Sequence, residues 1–359
     1  MAAEVKLPPD PIRVPAQSRA ARKKLVRRAA PDYSQPLRRA FQILFVALNV
    51  FLGLEFWRFV RHFEAGGPAV PRPAGVEGWL PIAGLMNLRY FLSTGKISPI
   101  HPAAMFLLVA FLLVSIVFRK AFCGWLCPVG TLSEVLWKLG RKFLGRNWTM
   151  PRWLDLVLRS LKYVLLAFFL YVVATLSAES IMAFMGSPYG LIADVKMLNF
   201  FRDLSETAGI TLAALGLLSI FYQNFWCRYL CPYGALMGIA SLVSPSRIRR
   251  ESDRCIDCAK CARACPALLP VDKLTTVRSA ECMSCMECVA VCPAQGALRM
   301  SMSGRRTVVP AWVFAGGIAF VFCAVVAYAK WAGLWETHIP ASLYNELVAR
   351  AKEFAHPGM

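Results

Sequence analysis

The feature that most constrains this chain is a cysteine spacing that occurs twice between residues 255 and 293. Each run has the form C-x2-C-x2-C-x3-C-P, from Cys255 to Pro266 and from Cys282 to Pro293. The short steps let three thiolates converge on one centre, and the proline ends the local helix after the fourth cysteine. Structural zinc sites need only two C-x2-C pairs, and disulfides need an oxidising compartment. The repeated spacing therefore predicts iron–sulfur chemistry.

This is the arrangement of bacterial two-cluster ferredoxins, in which the fourth cysteine of each run binds the cluster of the other run. We therefore predict two [4Fe–4S] clusters with crossed ligands. The ligands of cluster 1 are Cys255, Cys258, Cys261 and Cys292, and those of cluster 2 are Cys282, Cys285, Cys288 and Cys265. Met283 and Met286 lie between these cysteines and are expected to pack against a cluster, not to bind it.

The composition indicates a membrane protein that carries a small polar module. Hydrophobic residues make up 57% of the 359 residues, charged residues make up 17%, and the mean hydropathy is +0.49. Apolar stretches predict spans at 40–60, 102–118, 161–178, 208–225 and 308–331, whereas the interrupted stretch 79–99 is typical of an interfacial or re-entrant piece. The predicted fold is mainly α: a polytopic membrane protein of about five transmembrane helices with an inserted, small α+β module of the bacterial 2[4Fe–4S] ferredoxin type.

This pattern divides the chain into five segments. They are a basic arm (1–39), a four-span membrane domain (40–243), the ferredoxin-like domain (244–307), a fifth transmembrane helix (308–332) and a tail (333–359). Beside a first membrane span, a basic arm more often sets orientation and touches anionic lipid than binds nucleic acid, so no nucleic-acid partner is expected.

The placement of basic residues predicts the orientation of the chain. Residues 119–162 hold nine Lys/Arg and two acidic residues, and residues 244–307 hold eleven Lys/Arg and six acidic residues. The intervening segment 179–206 holds two Lys/Arg and four acidic residues. We therefore expect the basic arm, the 119–162 connection and the ferredoxin-like domain on the cytoplasmic side, and the C-terminal tail on the other side.

A second cysteine pattern also occurs twice, each time after a predicted span. Cys123 and Cys127 lie in FCGWLCP, and Cys227 and Cys231 lie in WCRYLCP. Because positions i and i+4 share one helix face, each pair is expected to present both thiols on one side. Four thiols could hold a third metal centre, bind copper or iron transiently, or form two dithiol/disulfide couples. Packing as small buried hydrophobes is the simplest alternative.

Together these motifs resemble the membrane polyferredoxins of the NapH/NosR/CcoG type, over residues 78–306. The resemblance implies electron transfer in the bacterial inner membrane, between the quinone pool or a cytoplasmic donor and a partner redox protein of a respiratory chain. It leaves open a quinol dehydrogenase, a copper reductase or assembly factor that uses the C-x3-C-P thiols, and an iron–sulfur anchor subunit of a larger respiratory complex.

A quinone pocket has no signature in the sequence, so its candidates are polar or aromatic residues at span ends. They are His101, Trp79 and Arg89 on the predicted outer side and Glu55 within the first span, where pairing with Arg58 is the alternative. Cys323, in the predicted fifth span, is expected only to pack.

Overall fold

The computed structural model describes residues 25–29, 31–302 and 307–354, and most of them are helical. The helices are α1 (Ser34–Ala65), α2 (Pro81–Thr94), α3 (Pro102–Phe118), α4 (Pro128–Leu144), α5 (Arg152–Thr175), α6 (Ala178–Met185), α7 (Pro188–Leu191), α8 (Ala193–Arg202), α9 (Glu206–Phe221), α10 (Pro232–Ala240), α11 (Lys260–Ala264), α12 (Glu287–Ala290), α13 (Ala311–Trp331) and α14 (Ala341–Ala349). The strands are β1 (Ser246–Arg250) and β2 (Leu298–Met302). Two 3-10 helices (Ala74–Trp79 and Ser241–Val243) and two π-helical turns (Phe122–Leu126 and Trp226–Leu230) complete the set.

Within the described residues, three helices are long and apolar enough to cross a membrane: α1, α5 and α13. Helices α8 and α9 would together make a fourth span, but they are bent by 79° at the break between them. Helix α3 has 17 residues and is about 26 Å long, slightly less than a bilayer core of about 30 Å. The chain is thus mainly helical with three or four candidate spans, and five spans remain a prediction.

Helix α3 lies at the centre of the bundle, and most of its residues are buried. Glycines allow neighbouring helices to approach it closely. A Cβ added at Gly84 of α2 would lie 2.6 Å from the carbonyl oxygen of Ala104, and one added at Gly317 of α13 would overlap the ring of Phe118. Because α3 is surrounded largely by protein, its shortness leaves little backbone facing lipid.

The ferredoxin-like segment is built on an antiparallel pair of strands, in which Ser246 of β1 is opposite Met302 of β2. The short helices α11 and α12 carry part of the cysteine runs. The segment is not a separate lobe, because one continuous hydrophobic core joins it to the helices; it includes Leu108, Trp125, Met237, Ile248 and Met300.

Two terminal segments pack more closely than the sequence indicated. Most of the predicted basic arm lies outside the described residues, but Arg28 donates its backbone N–H to the carbonyl of Pro293, directly after Cys292. In the predicted tail, α14 packs against the end of α1, where the rings of Tyr344 and Phe59 are 5.3 Å apart. Both ends of the described chain are therefore tied to the domain between them.

Candidate metal centres

The structure brings each predicted set of ferredoxin cysteines around its own small cavity. One cavity is lined by Cys255, Cys258, Cys261 and Cys292, and the other by Cys265, Cys282, Cys285 and Cys288. Cys261 and Cys265 lie only four residues apart yet face different cavities, as the crossed assignment requires. Four thiols around each cavity match the ligand chemistry of a [4Fe–4S] cluster.

The backbone repeats the same unusual conformation in both runs. Asp257 and Ser284, each two residues after the first cysteine of its run, have φ of 54° and 50°. Ala259 and Met286, each one residue after the second cysteine, have φ of 53° and 57°. Non-glycine residues rarely adopt this left-handed conformation, which costs roughly 1 kcal/mol or more per residue. Its recurrence at equivalent positions shows that both loops wrap their thiols in the same way.

The two thiol sets differ in exposure. Cys255, Cys258 and Cys292 are partly exposed, whereas all four cysteines of the second set are buried. Both methionines between the cysteines line the second cavity, and Met283 also lines the large cavity among the membrane helices. The second set therefore lies inside the molecule, and the first set lies closer to its surface.

The two C-x3-C-P segments fold alike, but not as the sequence suggested. Each forms a π-helical turn, and its second cysteine is the N-cap of the helix that begins at the following proline. The Sγ of Cys127 accepts from the N–H of Gly130 at 3.4 Å, and the Sγ of Cys231 accepts from that of Gly234 at 3.2 Å. The two cysteines of a pair therefore do not lie on one continuous α-helix, because the proline starts a new helix. Both thiols of each pair nevertheless line the same cavity.

All four of these cysteines line one large cavity of about 850 Å³. From them the cavity continues along α1, α3 and α13 towards Trp79 and Trp335. On α13 its wall includes Phe322 and Lys330, which are about 12 Å apart along the helix axis. Most of the wall is apolar. The cavity thus connects the four thiols with the opposite end of the helical bundle.

Buried charges lie at the thiol end of this cavity. Glu281 accepts from Lys162 at 2.6 Å and from the Tyr163 hydroxyl at 2.9 Å, and Lys120 lies 3.9 Å from the same carboxylate. Burial favours the neutral acid, but the two lysines outweigh it and lower the pKa of Glu281. Burial likewise opposes a charged Lys120, but the negative charges of a Cys123 thiolate and of Glu281 outweigh it and raise its pKa. This end of the cavity therefore holds two buried lysines around one buried carboxylate, an arrangement that the sequence did not predict.

The four-thiol loops make direct contact with the second ferredoxin set. The indole Nε1 of Trp125 donates to the carbonyl of Ser284 at 3.1 Å. A Cβ on Gly124 would lie 2.7 Å from the carbonyl oxygen of Met283, so only glycine allows this approach. Three residues line both the large cavity and the second ferredoxin cavity: Pro266, Ala267 and Met283. One layer of residues thus separates the two thiol sites.

A buried ion network fastens α1 to the same junction. Arg38 is 1% exposed and donates to both carboxylate oxygens of Glu134, at 2.6 and 2.7 Å, and to Glu287 at 3.0 Å. Lys138 also donates to Glu287, at 2.6 Å. Burial opposes ionisation of Glu134, but the hydrogen bond and charge of Arg38 outweigh it and lower the pKa of Glu134 to about 2. The network holds α1, α4 and α12 together.

The residues that the sequence suggested for a quinone site do not lie together in the structure. Trp79 lines the large cavity and donates to Asn49 at 2.9 Å. His101 is fully buried, with its Nε2 2.9 Å from the carbonyl of Gly190 and its Nδ1 3.3 Å from Glu77, and it does not line the cavity. Glu55 pairs with Arg58 at 2.8 Å. Neither Arg89 nor Glu55 lines the large cavity, so Trp79 is the one predicted candidate that does.

His101 belongs instead to a buried polar cluster beside the far end of the cavity. Arg72 binds Glu77 at 2.7 Å and Asp194 at 2.6 Å, and Thr337 also donates to Glu77 at 2.6 Å. Burial disfavours the charged carboxylate, but Arg72 and the His101 hydrogen bond outweigh it and lower the pKa of Glu77 to about 2. The cluster ties the 3-10 helix at 74–79 to α8 and to the segment before α14. Its role in the structure is to join these elements.

Both cysteine patterns lie in segments that match known iron–sulfur families. A family described as a 4Fe-4S dicluster domain matches residues 247–293, and one described as a 4Fe-4S binding domain matches residues 100–147 and 207–251. Among the described residues, no three His, Cys, Asp or Glu side chains are grouped as for a single metal ion. The chain is an iron–sulfur electron transport protein associated with the membrane.

More particularly, the chain belongs to the membrane polyferredoxin family. It is 47% identical over 326 residues to the "Putative electron transport protein YccM" of Escherichia coli K12. This alignment covers 89% of this chain and 91% of that protein. It is 30% identical over 243 residues to the ferredoxin-type protein MauN of Methylorubrum extorquens (64% and 73% covered) and 34% identical over 151 residues to NosR of Pseudomonas aeruginosa (41% and 20% covered). No solved structure shows significant similarity.

Proposed function

We propose that this protein carries electrons between a redox partner at its ferredoxin face and a quinone in its membrane domain. The observation that carries the proposal is the order of the thiol sites. The partly exposed set lies at the surface, the buried set lies beneath it, and the four-thiol cavity follows behind a single layer of residues. A chain that serves as an electron carrier needs such a succession of closely spaced sites.

The residues that would hold the two ferredoxin clusters are the crossed sets. Cys255, Cys258, Cys261 and Cys292 would hold cluster 1, and Cys282, Cys285, Cys288 and Cys265 would hold cluster 2. The shared cavity of each set and the matching left-handed backbone in both loops support this assignment. Each cluster supplies a one-electron site when bound.

We assign a third iron–sulfur centre to Cys123, Cys127, Cys227 and Cys231. Three observations support this assignment. The four thiols line one cavity, their two loops have the same fold, and both loops lie in the segments related to a 4Fe-4S binding domain. A copper site or a pair of dithiols is the alternative, and metal analysis distinguishes them.

The large cavity is the proposed quinone site. It is long, mainly apolar and lies among the candidate membrane helices, which suits an isoprenoid molecule with a small polar head. It also ends at the four thiols, so a ligand there would be close to the redox site. With the predicted topology, the ferredoxin face and the N-terminal arm are on the cytoplasmic side of the membrane, and the described C-terminal segment is on the other side.

Reduction by a quinol tests this function in the purified single chain. A soluble quinol analogue is added anaerobically, and cluster reduction is followed by EPR. Val326 lines the cavity on α13, so Val326→Trp should slow reduction by at least about tenfold, or about 1.4 kcal/mol. Val313→Trp is the matched control, because Val313 lies on the same helix but is 41% exposed. Failure of the analogue to reduce the wild-type clusters would exclude a quinol as donor.

A further inference from the structure

We infer that Lys120 is the charge partner of an anionic centre held by the four C-x3-C-P thiols. This inference rests on the proposed third centre. Lys120 is 3% exposed, and its side chain forms part of the wall of the four-thiol cavity. Its Nζ lies 3.7 Å from the position that a Cβ on Gly234 would occupy, three residues after Cys231. The ammonium group is therefore beside the proposed ligands.

The only nearby carboxylate among the described residues is already engaged by other groups. Glu281 accepts from Lys162 at 2.6 Å and from Tyr163 at 2.9 Å, whereas Lys120 lies 3.9 Å away, beyond hydrogen-bonding distance. Lys162 is itself fully buried. Two ammonium groups thus share one carboxylate, and Lys120 is the one without a close partner.

Another cation near the thiols does not change this balance. Arg228, which follows Cys227, binds both oxygens of Asp155 at 2.9 and 3.0 Å, and Arg159 shares that carboxylate at 3.1 Å, so this group supplies no net negative charge. Lys120 and Lys162 against Glu281 leave one surplus positive charge in the buried wall. An uncompensated buried charge costs several kcal/mol, and neutral thiols would not offset that cost. Thiolates of a bound metal centre would offset it, so the wall fits an anionic occupant.

The surplus charge has a direct consequence for redox behaviour. A positive charge beside a centre stabilises its reduced form, which is the more negative one. Lys120→Met should therefore shift the reduction equilibrium of the thiol-dependent centre towards the oxidised form by at least tenfold, a fall in potential of about 59 mV for a one-electron couple. Lys120→Arg keeps the charge and should leave the potential near that of wild type. A residue that acted only by packing would not produce this difference.

The test is an EPR-monitored redox titration of the full chain in detergent, with iron content measured on the same samples. The signal of the third centre is defined as the part lost in Cys227→Ser. Lys352→Met is the control for the substitution itself, because Lys352 is an exposed lysine that pairs with Asp203. It should not shift the potential of the third centre.

Each outcome decides between the possibilities. A lower potential in Lys120→Met, or loss of the thiol-dependent iron in Lys120→Met alone, supports the charge role. An unchanged potential with full iron content overturns the role of Lys120 and leaves the third centre intact. Loss of that iron in both Lys120→Met and Lys120→Arg also overturns it, in favour of packing. If wild type has no thiol-dependent signal, the third centre itself is wrong and the inference fails with it.

Discussion

The indole Nε1 of Trp125 donates a hydrogen bond to the carbonyl oxygen of Ser284 at 3.1 Å. Trp125 lies between the two cysteines of the first C-x3-C-P motif, and Ser284 lies between the first two cysteines of the second ferredoxin run. Both residues are buried. A single hydrogen bond thus joins the middles of two cysteine motifs that are about 160 residues apart in the chain, and it fixes the distance between them.

The crossed assignment can be tested with Cys265→Ser. Although Cys265 belongs to the first run, it lines the cavity of the second. Its replacement should therefore remove or alter the same EPR signal as Cys285→Ser, with loss of up to about four irons per chain. Cys292→Ser should instead resemble Cys258→Ser. A Cys265→Ser spectrum that matches Cys258→Ser would contradict the crossed arrangement.

Removal of Arg38 should weaken the junction between α1 and the ferredoxin-like segment. Arg38→Met leaves Glu134 and Glu287 in a buried site with only Lys138 as a cation, and breaking a buried pair in this way typically costs about 3–5 kcal/mol. Urea unfolding in detergent, followed by cluster absorbance, measures the loss. In Arg350→Met, where an exposed pair is broken, the change should stay within about 0.5 kcal/mol. Equal effects in the two variants would argue against a structural role for the Arg38 network.

The same network predicts a dependence of stability on pH. The pKa of Glu134 is about 2 in the folded protein and 4.5 ordinarily, so its contribution is fully present above about pH 4.5 and is lost as the pH falls towards 2. The shift corresponds to up to about 3 kcal/mol. Glu134→Gln should lower stability at pH 7 and flatten the acid dependence in this window. Unfolding midpoints at several pH values test this, with Glu353→Gln as an exposed control.

Close approach of the two thiol sites depends on Gly124. Since a Cβ there would lie 2.7 Å from the carbonyl oxygen of Met283, Gly124→Ala should force the loops apart and cost about 1–3 kcal/mol. Electron transfer between the sites should also slow, as seen by rapid-freeze EPR after reduction of the ferredoxin clusters. Gly316→Ala adds the same methyl group on α13 where no atom lies within 4 Å, so it should be harmless. A Gly124→Ala protein with normal stability and transfer rate would show that this contact is not required.

The sequence predicted the parts of the site that depend on local spacing. The repeated runs predicted the crossed sets by their likeness to two-cluster ferredoxins, and the structure groups each predicted set around one cavity. The pairing of the two C-x3-C-P loops was also visible as an internal repeat. The i, i+4 spacing alone did not predict that Pro128 and Pro232 start a new helix.

Other parts of the site could not be predicted because they depend on long-range packing. Lys120, Lys162 and Glu281 are more than a hundred residues apart at the extremes, and nothing in their local sequence indicates that they meet. Similarly, His101 looked like an interfacial residue but is buried among Arg72, Glu77 and Gly190. The predicted number of spans, five, differs for a related reason from the three or four candidate spans among the described residues. Helix α3 is apolar largely because it is buried in protein, and its sequence alone does not distinguish such a helix from a membrane span.

The most direct test of the account is the iron and acid-labile sulfide content of the anaerobically purified chain, with low-temperature EPR. Three four-iron centres predict about twelve irons per chain, falling to about eight in Cys123→Ser and in Cys227→Ser while the ferredoxin signals persist. A wild-type content near eight irons that does not change in these two variants would contradict the third centre, and with it the continuous series of redox sites from the ferredoxin face to the large cavity.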